Sequence, residues 1–235
     1  MVSKCPGQNT QFWGPGDIFT IECPKCGNGV EFFKDDIRRR CQSCSHMFIN
    51  PRLNLGCAGW CQYADQCVGT IGKEELKDIL TSAIKEYFQG DEEKIDHALK
   101  VLRFAEKILE TEEGNPKVVI SAAILYDIGI YEYEKDPERV HVSDQGGDGL
   151  SAVRGILERS GIREETREEI CGIIAAHSYL HQTDFINSKI VYDAVQLADL
   201  SGPCEAEGKK GREKTIKKTF FTPTGKKMAE EIYYK

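Results

Sequence analysis

The chain has 235 residues, with 31 basic and 38 acidic side chains, and its net charge of −7 argues against wholesale nucleic-acid binding. No apolar run approaches the roughly 20 residues that a bilayer crossing needs, and Met1–Gly7 has no signal-peptide pattern. A membrane partner is therefore not expected, and a cytoplasmic location is. The length suits one substantial domain and a small one. Composition shifts place them at residues 1–70 and 73–204, followed by a charged tail over 205–235.

Cysteine use divides the chain. Of its 10 cysteines, all but Cys171 and Cys204 precede residue 68. Cys23-Pro24-Lys25-Cys26 and Cys41-Gln42-Ser43-Cys44 form two Cys-x-x-Cys knuckles. Each aims two thiolates at one point, and two such turns close a tetrahedral site of the kind Zn²⁺ accepts. Short strands are expected over 30–33 and 37–40. Together these features describe a zinc ribbon with ligands Cys23, Cys26, Cys41 and Cys44. Its apolar content is small, with Phe12, Trp13 and Trp60 as packing material, so metal binding would supply much of its folding energy. Cys57, Cys61 and Cys67 need a fourth partner, for which Cys5 is the candidate and His46 the weaker one. This second thiolate set leaves zinc and an iron–sulfur cluster open. Arg38, Arg39 and Arg40 lie beside Glu31, Asp35 and Asp36, and read as a solvated strand edge rather than a phosphate-binding one.

After Gly69–Gly72 the periodicity turns helical. Leu76, Ile79, Leu80, Ala83, Ile84, Tyr87 and Phe88 make one apolar stripe. Asp91 opens the next helix, whose stripe runs from Ile95 to Leu109 with His97 at its border. Asn115 caps a third, with Pro116 in the first position. That helix is apolar all round, as suits the middle of a core, and it should stop at Asp127-Ile128-Gly129 with glycine as the left-handed end. A charged, glycine-rich loop with His141, Asp144 and Asp148 follows. His177 shares a helical face with Ile170, Ile173 and Ile174, and Asp193 lies on a last core helix beginning near Ser188. Lys226 to Tyr234 reads as a short docking helix.

The order His97, Asp127, His177, Asp193 resembles the HD-domain superfamily, the metal-dependent phosphohydrolases. Its pattern is a His on one helix, His-Asp at the end of a buried helix, and a later Asp in an Ala-Asp-x-Leu setting. The resemblance implies a mainly α fold, an HD-type helical bundle beside the small β zinc-ribbon domain. It also implies that His97, Asp127, His177 and Asp193 carry the chemistry around a divalent ion. Two positions depart from the pattern. Tyr126 stands where the family has the His of His-Asp, and Val195 falls where the Asp-Ala-Asp run would end. Another difference is that a common His-His pair reads His177-Ser178.

Three functions stay open. The first is a hydrolase-like HD protein with a degraded, weakly metal-binding site, retained for sensing a small phosphorylated ligand or binding a protein partner. The second is an active phosphohydrolase on a nucleotide or small phosphoester, using displaced ligands such as Asp193 or Asp199. In the third, the zinc or iron–sulfur region binds nucleic acid or protein and the helices are scaffold.

Overall fold

The computed structural model describes residues 11, 13–55, 73–135, 150–176, 185–200 and 209–233. The chain divides into two compact units, residues 1–79 with 158–162, and residues 80–157 with 163–235. No helix among the described residues is long and apolar enough to cross a membrane.

The first unit holds four strands: β1 (Ile18–Glu22), β2 (Gly29–Phe33), β3 (Arg38–Arg40) and β4 (Met47–Ile49). The two strands expected from sequence are present as β2 and β3, but they are not each other's partners. β2 pairs antiparallel with β1, from Ile18↔Phe33 to Glu22↔Gly29, and β3 with β4, from Arg38↔Ile49 to Arg40↔Met47. Each hairpin thus carries a cysteine knuckle at its turn. Cys23, Val30, Phe32 and Cys41 are buried together, with Phe19, Ile21, Cys44 and Phe48 against them. Two of the four buried members are thus cysteines, and apolar burial alone is a thin basis for this unit. Asn50 closes it: its Nδ2 donates to the Phe33 and Asp36 carbonyls at 3.2 and 3.0 Å, and its Oδ1 accepts from the Arg52 N–H.

The helices are α1 (Lys73–Phe88), α2 (Glu92–Leu109), α3 (Pro116–Lys135), α4 (Ser151–Arg159), α5 (Glu164–Ala175), α6 (Ile186–Asp199), α7 (Lys209–Thr219) and α8 (Pro223–Tyr233). Local chemistry starts two of them as the sequence indicates. Asp91 accepts from the Lys94 N–H at the head of α2, and Asn115 Oδ1 from the Lys117 N–H at the head of α3. α3 is the core of the second unit, packed on α2, α5 and α6. Val118 through Leu125 and Ile128 are all buried, which is why this helix shows no polar face.

α3 does not stop at Gly129, as the sequence pattern suggested, but continues to Lys135. The glycine serves a close approach instead. A Cβ there would overlap the Ile174 side chain of α5 and press on Leu150 at 3.2 Å. The tail is likewise part of the second unit. Ile216, Phe220 and Ala229 are buried, and α8 packs on α6 and α7.

Gly129→Ala should therefore destabilise the protein by about 1–3 kcal/mol through overpacking. A lowered midpoint in chemical denaturation checks this; an unchanged midpoint would show that α3 and α5 are not in such contact.

Candidate functional site

Both knuckles are built the same way. The Gly27 N–H donates to the Cys23 carbonyl and the Ser45 N–H to the Cys41 carbonyl, each at 2.9 Å. The turn residue after the second cysteine is left-handed in both, Gly27 at φ 72° and Ser45 at φ 57°. The turns bring Cys23 Sγ to 3.6 Å from Cys44 Sγ, and Cys26 Sγ to 3.6 Å from Cys41 Sγ. All four sulfurs lie within 4.8 Å of one another, so the cluster could hold a metal ion. A tetrahedral ion with ~2.3 Å bonds to sulfur needs sulfur–sulfur edges of about 3.8 Å, whereas a disulfide needs about 2.05 Å. Their 3.6 Å contacts are close to the first spacing and far from the second.

Their ionisation is uneven. The Cys44 backbone N–H, helped by that of Ser43, holds Cys41 down at about 6 against its burial. The His46 backbone N–H pulls Cys44 down, but burial and the other three sulfurs push it up to about 12. Sulfurs this close become thiolates together only around a cation. Cys5, Cys57, Cys61 and Cys67, the expected second set, lie outside the described residues. His46, the weaker fourth candidate, stacks its ring on Phe48.

In the helical unit, α2 and α3 bring His97 and Asp127 together, as the sequence order implied. His97 Nδ1 lies 2.8 Å from Asp127 Oδ2. The other ring nitrogen, Nε2, lies 3.0 Å from Asp199 Oδ1 at the end of α6. The two carboxylates therefore engage different nitrogens of one imidazole. Hydrogen bonding to Asp127, then to Asp199, raises the His97 pKa from 6.5 to about 10 despite partial burial. Asp127 is the better shielded partner, its side chain 15% exposed against 58% for Asp199. The ammonium of Lys100, one turn on from His97, donates to the Ala198 carbonyl and caps the α6 terminus that carries Asp199.

Asp193 is not part of this site, which corrects the expectation from sequence. It is completely buried and faces the tail, accepting from the Phe221 N–H at 2.9 Å and from the Thr222 N–H and Oγ1 at 2.7 Å each. Burial raises its pKa in spite of these donors. It anchors the start of α8, where Gly225 sits so close that a Cβ would overlap its carboxylate. Six residues on an α-helix turn through roughly 600°, so Asp193 and Asp199 point to different sides of α6. A sequence signal for Asp199 existed: Ala198-Asp199-Leu200 carries the Ala-Asp pair of the family pattern. Val195 is buried. His177, with His141, Asp144 and Asp148, lies outside the described residues.

Tyr126, where the family has its second imidazole, is 8% exposed. Burial, then the charges of Asp127 and Asp199, push its phenol above the usual value, so it stays neutral. The described residues thus supply one imidazole and two carboxylates that straddle it, together with a neutral phenol.

This buried helical core with its His–Asp pair at one edge defines a class. The family model described as HD domain matches residues 95–220, more than half of the chain, and the chain belongs to the HD-domain family. Among solved structures it is similar to the crystal structure of a predicted HD superfamily hydrolase from an uncultured Thermotogales bacterium. That likeness has 25% identity and a TM-score of 0.45, and covers 68% of this chain and 84% of the other. None of the curated proteins matches it.

A histidine whose pKa rises on folding contributes stability in full below its unfolded value near 6.5 and loses it as pH rises through about 10. Without added divalent metal, the melting-temperature gap between the wild type and His97→Gln should be widest at pH about 6 and close towards pH 10. A gap that stayed constant or widened with pH would contradict the bridge.

Proposed function

We propose that this chain is a hydrolase-like HD protein whose divalent-metal site is weakened, so that the helical unit binds or senses a small phosphorylated ligand, or a protein partner, rather than turning substrate over. The observation that carries this reading is Tyr126, a neutral buried phenol beside Asp127 where an imidazole ligand would belong. A metal in such a site activates water and polarises a phosphoryl group. Here His97 engages a carboxylate through each ring nitrogen, so a cation must compete with those contacts for the same donor atoms.

The second reading, an active phosphohydrolase on a nucleotide or small phosphoester, is favoured by Asp199. Its contact with His97 means that one expected ligand, not two, has been replaced among the described residues. The nucleic-acid reading is disfavoured. Arg39 lies over the Phe33 ring and pairs with Asp36, and Lys34 lies over Trp13 and pairs with Asp17. These cations are already engaged within the ribbon.

Our reading assigns zinc to Cys23, Cys26, Cys41 and Cys44, as a structural ion. Sulfurs 3.6 Å apart suit one ion, because a cluster would interpose several iron and sulfide atoms. The free thiols suit a reducing, cytoplasmic compartment.

Elemental analysis with a phosphatase assay tests the proposal. The wild type should carry zinc but substoichiometric manganese, iron or cobalt, and should not hydrolyse p-nitrophenyl phosphate above background. Tyr126→His alone should tighten Mn²⁺ binding by about 10–100-fold in titration calorimetry, since Asp199 is already in place. Stoichiometric manganese, iron or cobalt in the wild type, lost together with turnover in Asp127→Ala, would establish the active enzyme instead.

A further inference from the structure

The four residues of the cysteine centre are not equally sheltered. Cys23 and Cys41 are buried and Cys44 is partly covered, whereas Cys26 is exposed. The reason is local. Cys26 is followed by Gly27, whose missing side chain faces open space, with nothing within 4 Å of where a Cβ would lie. The sulfur of this exposed residue is also in contact with that of a buried one, Cys41 Sγ at 3.6 Å, while Cys23 makes its own contact with Cys44. An accessible thiolate beside a second thiolate is the arrangement that hydroperoxides oxidise in two steps.

We propose that Cys26 is a hydroperoxide-sensitive edge of the cysteine centre, where oxidation completed by Cys41 releases the bound ion and opens the ribbon. The proposal rests on the zinc reading above. In the first step the Cys26 thiolate attacks one peroxide oxygen. An S–O bond forms, the O–O bond breaks, and hydroxide (or an alkoxide) leaves, giving a sulfenic acid. In the second step the Cys41 thiolate attacks that sulfur, an S–S bond forms, and hydroxide leaves. Two thiolates lose two electrons and the peroxide gains them. The ion keeps two of its four ligands and dissociates, and a reducing thiol reverses the change.

Because Phe32 and Val30 are buried against Cys23 and Cys41, loss of the ion removes the tie between the two hairpins.

The zinc-loaded full chain is treated with limiting hydrogen peroxide, with and without dimedone, and released zinc is followed with a chromogenic chelator. Trypsin then cuts after Lys25, Lys34, Arg40 and Arg52, so that Cys26 lies on peptide 26–34 and Cys41 and Cys44 share peptide 41–52, where fragment-ion sequencing tells which of the two is linked, a Cys26–Cys44 link counting against the proposal. The first dimedone adduct should appear on Cys26. Without dimedone, peptides 26–34 and 41–52 should become linked through Cys26 and Cys41, with one zinc released per link. Cys26→His keeps a ligand set zinc accepts and should need about tenfold more peroxide for the same release. If that variant does not load zinc, the peptide map of the wild type decides. A first adduct on Cys23, Cys41 or Cys44, a link joining peptides 5–25 and 26–34, or zinc retained after Cys26 is oxidised would overturn the proposal. Zinc missing from protein purified under reducing conditions would instead refute the zinc reading itself.

Discussion

The helical unit turns on one imidazole. His97 of α2 holds Asp127 of α3 through one nitrogen and Asp199 of α6 through the other. One positive charge therefore serves two carboxylates and joins three helices at a single point. An exposed ion pair contributes little, about 0–1 kcal/mol. This one is partly shielded, shared, and hydrogen-bonded on both sides, which is why the proton stays on the ring far above its usual value.

The remainder of the site follows from that bridge. Tyr126 is neutral and buried beside Asp127, and among the described residues the two carboxylates share the imidazole of His97. The carboxylates are then best neutralised by His97 itself. Asp193, although on the same helix, is committed to the tail. Its three hydrogen bonds from Phe221 and Thr222 hold α8 to α6. The chain thus separates two carboxylate tasks on one helix, docking at Asp193 and pairing with His97 at Asp199. In the other unit sulfur takes the place of nitrogen and oxygen, and four thiols stand at the spacing of one tetrahedral ion.

Much of this was legible in the sequence, and the failures have physical causes. The helices of the second unit declared themselves through apolar stripes and the caps Asp91 and Asn115, because those signals are local. The cysteine centre was legible because knuckle spacing is itself a geometric constraint. The hairpin partners β1 and β4 were not, since pairing across a knuckle is a tertiary choice that short strands with little alternation do not encode. Gly129 misled because a glycine near a helix end usually marks a stop, whereas here it makes room for Ile174. Asp193 misled for a similar reason. A buried carboxylate near the family position looked like a ligand, but its burial is satisfied by backbone donors more than twenty residues away in sequence.

The most direct measurement is long-range ¹H–¹⁵N correlation spectroscopy of histidine-labelled protein at neutral pH, with His97→Gln assigning the resonance. The bridge predicts that both ring nitrogens of His97 carry protons. A His97 ring with one bare nitrogen at that pH, neutral or bound to a metal, would contradict the account.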